Sequence, residues 1–241
     1  MNVLSEVLAW FTDPANWSGP NSIPTRFIEH VVLSGLVVAV ACAVAIPLGL
    51  FIGHTGRGAF LTVTVANLGR AIPSYALLLI FFAATGQLGF GSAFPALLVL
   101  AIPPILTSTY VAIREVDRDM VEAGRGMGMT ERQLLRRVEV PIGSPIIVAG
   151  VRTSAVQVVA TATLAALVGG GGLGRFIVDG FAQQQDDQLV GGAILVALLA
   201  LATERLFTYL QRASAPPVQA KQPLRPSTAE IQPAPTSSGP A

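Results

Sequence analysis

Residues 121 to 141 read Val-Glu-Ala-Gly-Arg-Gly-Met-Gly-Met-Thr-Glu-Arg-Gln-Leu-Leu-Arg-Arg-Val-Glu-Val-Pro, the one long charged island in an otherwise apolar chain. The local chemistry of this stretch predicts helix, turn, helix. Gly128 tolerates the left-handed conformation that ends a helix, and Thr130 followed by Gln133 has the capping-box pattern that starts one. The second helix carries Arg132, Arg136 and Arg137 near one another, with Leu134, Leu135 and Val138 as an apolar side. A short helix with one charged and one apolar side suits docking into a groove on a soluble partner.

Outward from the island the chain is apolar. Of 241 residues 52 % are hydrophobic and 12 % charged, with a mean hydropathy of +0.62, whereas a soluble domain carries about 25 % charged residues. The composition predicts an all-α integral membrane protein. Apolar runs extend over 31–53, 59–84, 92–113, about 146–168 and about 189–210. Each is read as a span, because about 20 helical residues at 1.5 Å each cross a hydrocarbon core of about 30 Å. The second is interrupted by Arg70 and Pro73, and Pro103-Pro104 must bend the third. Five spans put the two ends on opposite sides. With the island in the cytoplasm, Arg57, Arg114, Arg118, Arg125, Arg132, Arg136, Arg137, Arg205, Arg212, Lys221 and Arg225 lie inside, 11 of the 15 basic residues. The N-terminus is therefore expected outside and the C-terminus in the cytoplasm.

The ends differ from the middle. Residues 1–26 read as an extracytoplasmic amphipathic segment, with Trp10 and Trp17 as interfacial anchors. Residues 213–241 are rich in proline, serine and alanine and read as a disordered cytoplasmic tail. Between them, 27–212 forms the membrane domain, with the loop 114–141 inside it. Met1 to Trp10 lacks the basic start and small-residue cleavage pattern of a cleavable leader.

Several chemistries are missing. There is no G-x-x-x-x-G-K-[ST], no G-x-S-x-G and no H-E-x-x-H, and His30 and His54 fall near opposite ends of the first span. The single Cys42 leaves no internal disulfide. Neither an enzyme, a metal site nor a cofactor is expected, and a nucleotide that drives transport would bind another polypeptide. Gly169, Gly171 and Gly174 satisfy G-x-G-x-x-G, but they follow a span rather than a strand, so they are read as a tight turn. The spans contain no Asp or Glu between their ends, which argues against an ion-coupled secondary transporter, although carbonyls of broken helices also hold sodium.

Polar groups within the spans are candidates for a solute pathway: Asn67, Arg70, Ser74, Ser154, Gln157 and Thr161. The last three recur at three and four residues and share a helix face. They either line a pathway at the centre of a dimer or hydrogen-bond to neighbouring helices. Arg70 lies roughly 15 Å into its span, where a lone charge costs at least about 2.5 kcal/mol. It either meets a substrate carboxylate, caps carbonyls freed by Pro73, or lies nearer the cytoplasmic interface.

Glu122-Ala123-Gly124, three residues, Gly128, nine residues, Val138, and then Pro141 resembles the EAA loop of ABC-importer permeases, with Gly124 in place of the third alanine. The resemblance implies a five-helix type I importer core, similar to that of methionine importers, in a bacterial cell membrane. It makes Glu122 to Met127 the coupling helix, with Glu122, Ala123, Gly124, Gly128, Val138 and Pro141 as ATPase-coupling residues. The implied partners are an ATP-hydrolysing subunit, a second permease subunit that is a copy or a relative, and an extracytoplasmic binding protein. Arg70-Ala71-Ile72-Pro73-Ser74 and Gly170-Gly171-Gly172-Leu173-Gly174 resemble the osmoprotectant branch, which imports glycine betaine, choline, carnitine or proline. Methionine, another amino acid or another small solute is the alternative cargo, and a membrane adaptor without transport is a further reading.

Overall fold

The structure, a computed structural model, describes residues 3–58, 60, 64 and 72–214. Helix α1 (Val3–Thr12) ends at Asp13, whose carboxylate accepts from the Ala15 N–H and caps a single 3-10 turn, Pro14–Trp17. Ser22 caps the next helix, α2 (Ile23–Thr55), by accepting from the Thr25 N–H, with Pro24 in the first turn. There follow α3 (Ser74–Thr85), α4 (Phe90–Arg114), α5 (Arg118–Gly126), α6 (Glu131–Val168), α7 (Gly174–Gln183) and α8 (Asp186–Ser214). Among the described residues α2, α4, α6 and α8 are long and apolar enough to cross a membrane. The run expected over 59–84 falls partly on residues outside the described set, including Asn67 and Arg70, and its described portion ends in α3. The expected tail, 213–241, lies outside the described residues from 215 onward.

Lipid is as apolar as leucine, so helices in a membrane associate where small residues let their backbones approach. α4 sits at the centre of such contacts. Gly49 and Gly53 of α2 form a small-xxx-small pair against it: a Cβ at either would lie 2.7 Å from the Cβ of Thr109 or Ile113. On the other side of α4, Gly150 of α6 abuts Ser108, and a Cβ at Gly143 would lie 2.9 Å from the Ala112 carbonyl. Val37, Ala41, Leu97, Ala101, Ile105 and Val158 fill the space between the three helices. α3 packs on α4, and α8 closes the bundle against α6 and α7.

Two features depart from the sequence reading. The second helix of the charged island and the fourth span are one rod, α6, rather than separate helices. Pro141 has no N–H to give, and its ring crowds the carbonyl four residues back. A π turn over Leu135–Glu139, in which the Val140 N–H bonds to the Leu135 carbonyl, widens the helix just ahead of it and lets the rod continue. Trp10, expected as an interfacial anchor, is 7 % exposed. It stacks edge-on against Phe176 at 5.3 Å and rests where Gly191 leaves α8 bare, so α1 is pinned to the bundle.

At the end of the bundle away from α5, the glycine run after α6 makes a tight turn, as expected. Gly172, at φ +83°, donates its N–H to the Glu29 carboxylate at 2.8 Å, and the Leu173 N–H reaches His30 Nδ1 at 3.3 Å. His30 Nε2 donates to the Val159 carbonyl at 2.9 Å, so one buried imidazole ties α2, α6 and the turn together.

Candidate functional site: the α5–α6 segment

The segment is built by local capping. Asp117 opens α5 by accepting from the Asp119 N–H at 2.9 Å. Gly128, at φ +79°, closes it: the Met129 N–H bonds to the Gly124 carbonyl at 3.2 Å and the Gly128 N–H to the Arg125 carbonyl at 2.9 Å, the paired bonds of a Schellman termination. Thr130 then starts α6. Its hydroxyl accepts from the Gln133 N–H at 3.4 Å and its own N–H donates to Gln133 Oε1 at 2.9 Å, so both halves of the capping box form.

Gly124 explains why the third alanine of the motif is absent here. A Cβ at this position would lie 2.7 Å from Leu134 Cδ1, and Leu134 is completely buried in the angle between α5 and α6. Val138 lines the same angle and is half-buried, while Pro141 is exposed on the rod. With Gly124 turned inward, the opposite side of α5 faces outward. Glu122 and Ala123 are exposed, and so are Met120 at 53 % and Met127 at 72 %. Two flexible, polarisable thioethers flanking a carboxylate have the chemistry that suits an adaptable docking surface. Arg125 grips Glu131 with both arms, Nε to Oε1 at 3.1 Å and Nη2 to Oε2 at 3.2 Å, and this hydrogen bonding raises the guanidinium pKa further. Sequence reading passed over that pair because its members lie on either side of the turn.

The candidate pathway residues do not converge in the same way. Ser154 is fully buried, and its hydroxyl donates to the Ala101 carbonyl of α4 at 2.9 Å. Thr161 donates to the Gln157 carbonyl of its own helix at 2.8 Å. Gln157 and Ser74 are half-buried. At the end of the bundle away from α5, a cavity of about 630 Å³ is lined by Arg26, Glu29, Phe90, Arg175 and the backbone of Gly169 to Gly171. Arg26 pairs with Glu29 at 2.9 Å and Arg175 with Asp179 at 2.7 Å, so its charges are balanced.

The sequence model of the family described as binding-protein-dependent transport system inner membrane component matches residues 45–216. The chain is 36 % identical over 188 residues to the choline transport system permease protein OpuBB of Bacillus subtilis, covering 78 % of this chain and 86 % of that one. It is 41 % identical over 178 residues to the carnitine transport permease protein OpuCB of Listeria monocytogenes, covering 73 % and 80 %. Among solved structures, an inward-facing conformation of the MetNI methionine ABC transporter matches with a TM-score of 0.68 at 24 % identity, over 78 % of this chain and 94 % of that one, which is a likeness of fold. This chain belongs to the binding-protein-dependent transport inner-membrane components: it is an all-α, multi-pass membrane permease of the ABC-importer type.

Proposed function

We propose that this chain forms the solute path of an ATP-driven importer for a quaternary-amine osmoprotectant, among glycine betaine, choline, carnitine and proline. The observation that carries the substrate class is its identity, at 36 and 41 %, to choline and carnitine permeases across about three quarters of its length. The likeness to the methionine transporter supports the fold and leaves the cargo to those relatives.

In this reading α5 is the coupling helix and seats Met120, Glu122, Ala123 and Met127 in a separate ATPase subunit. Gly124, Gly128, Val138 and Pro141 hold it at a fixed angle to α6. Two permease subunits, copies or relatives, enclose the path, with the N-terminus outside and the C-terminus in the cytoplasm. An extracytoplasmic binding protein delivers solute at the cavity lined by Arg26, Glu29 and Arg175. The path then runs past Gln157, Thr161 and Ser74, together with Asn67 and Arg70, while Ser154 acts as a helix-to-helix clasp. Closure of the ATPase pair moves α5, and the bundle rocks as a body between outward and inward openings.

The test is uptake of labelled glycine betaine, choline and carnitine into vesicles that carry the reconstituted complex of this chain, its ATPase and its binding protein. ATP-dependent accumulation of at least one of these solutes is expected. An intact complex that accumulates methionine, and none of the three, overturns the substrate class.

A further inference from the structure

We infer that His54 is the joint through which the coupling helix moves the first long membrane helix; the inference rests on the coupling role proposed for α5. His54 lies in the last turn of α2, and its side chain is 14 % exposed. Its Nδ1 donates to Oε2 of Glu139 at 2.7 Å, and its Nε2 lies 3.2 Å from Oε2 of Glu131. That Glu131 carboxylate is the one held by both arms of Arg125. Three elements therefore meet at two acids: α5 through Arg125, α2 through His54, and α6, which supplies both carboxylates.

The π turn is what makes this meeting possible. In a regular α-helix, eight residues leave Glu139 about 80° round the axis from Glu131. The wider turn over Leu135–Glu139 takes up most of that angle and sets both carboxylates on one side, within reach of a single imidazole. Glu139 is 5 % exposed, and a buried carboxylate is tolerated where it is paired. Nδ1 is hydrogen-bonded to Glu139, and the other ring nitrogen faces the Glu131 carboxylate, so one ring lies between the two acids. The Arg125–Glu131 pair is exposed and adds little to the stability of the fold. Its worth lies in connection. A shift of α5 pulls Glu131, Glu131 pulls His54, and Gly49 and Gly53 pass the movement of α2 into α4, which they touch closely.

The experiment uses the complete complex of this chain with its ATPase and binding protein in vesicles, reading solute taken up per ATP hydrolysed. Glu131→Gln and Arg125→Gln change exposed groups and leave assembly intact; His54→Gln removes the joint; His54→Arg supplies N–H donors for both acids. The inference expects ATP hydrolysis within twofold of wild type and uptake per ATP at least fivefold lower in Glu131→Gln and His54→Gln, with most of the ratio restored in His54→Arg. An unchanged ratio in Glu131→Gln overturns it, as does loss of assembly in His54→Gln alone with every exposed variant behaving as wild type, since His54 would then only hold the fold. A second reading is independent of the solute. Spin labels at Thr55 on α2 and Arg118 on α5 should keep a constant separation when a non-hydrolysable ATP analogue binds the wild-type complex, and change it in Glu131→Gln. Labels that part equally in both overturn the joint. Labels that never move relative to the ATPase in the wild type overturn the coupling role of α5 instead.

Discussion

Replacing Gly128 with residues of graded tolerance for the left-handed region isolates the backbone contribution of the turn between α5 and α6, on which the coupling role proposed for α5 rests. Its φ is +79°, and a Cβ built there meets nothing within 4 Å, so no clash enters the comparison. What remains is the intrinsic penalty of a left-handed L-residue, about 1–2 kcal/mol. Two bonds depend on that geometry, from Met129 to Gly124 and from Gly128 to Arg125. A penalty of that size changes the fraction of turns that hold by about 5- to 30-fold. Gly128→Ala should therefore lower solute taken up per ATP by up to that factor in reconstituted vesicles. Gly128→Asn, a residue that enters this region readily, should stay close to wild type, and the β-branched Gly128→Val should fall below alanine. Hydrogen exchange at the Met129 amide should rise in the same order. Alanine indistinguishable from glycine, or asparagine as poor as valine, would refute the argument that the turn conformation itself sets the coupling.

Three further outcomes follow from the packing. Gly150→Leu should abolish a monodisperse, folded chain in detergent chromatography because its Cβ would run into Ser108, whereas Gly35→Ala, which faces open space, should leave the elution unchanged. Ser154→Ala should cost about 0.6 kcal/mol, the average for a helix-to-helix hydrogen bond in a membrane protein, and leave KM for uptake unchanged, while Gln157→Ala should raise KM severalfold. Thr130→Ala should remove about 1 kcal/mol of capping and speed amide exchange at Glu131 to Gln133 about fivefold.

What the sequence revealed here was local chemistry. The turn at Gly128, the Thr130–Gln133 box and the glycine turn after α6 each depend on residues within a few positions of one another, and all three formed as read. The continuity of α6 was hidden because the charged island, closed by Pro141, and the span from about 146 read as separate pieces, and nothing in an apolar period announces the π turn that carries the helix through Pro141. Trp10 read as an interfacial anchor because Gly191 and Phe176, which receive it, lie far along the chain. His54 read as a polar end-piece for the same reason: its partner Glu139 is 85 residues away, and the bond needs a helix defect to form. Ser154, Gln157 and Thr161 do share a face by period, but period is blind to which neighbour that face meets, and for Ser154 it is the backbone of Ala101.

The length of α6 has a consequence for how such chains vary. Its α-helical part up to Thr161 alone extends about 46 Å at about 1.5 Å per residue, before the closing 3-10 stretch Ala162–Val168, against a hydrocarbon core of about 30 Å, so length is left over for its charged first turns to form a stalk. A π turn is a regular helix holding one residue too many. Deleting one residue within Leu135–Glu139 would leave both ends of the rod facing as they do now but bring the Pro141 ring back against the carbonyl four residues before it, whereas a deletion elsewhere in α6 would swing the stalk about 100° away from the buried face below. The surplus residue therefore serves two ends at once: it carries the rod through Pro141 and it sets the angle between the stalk and the buried face below.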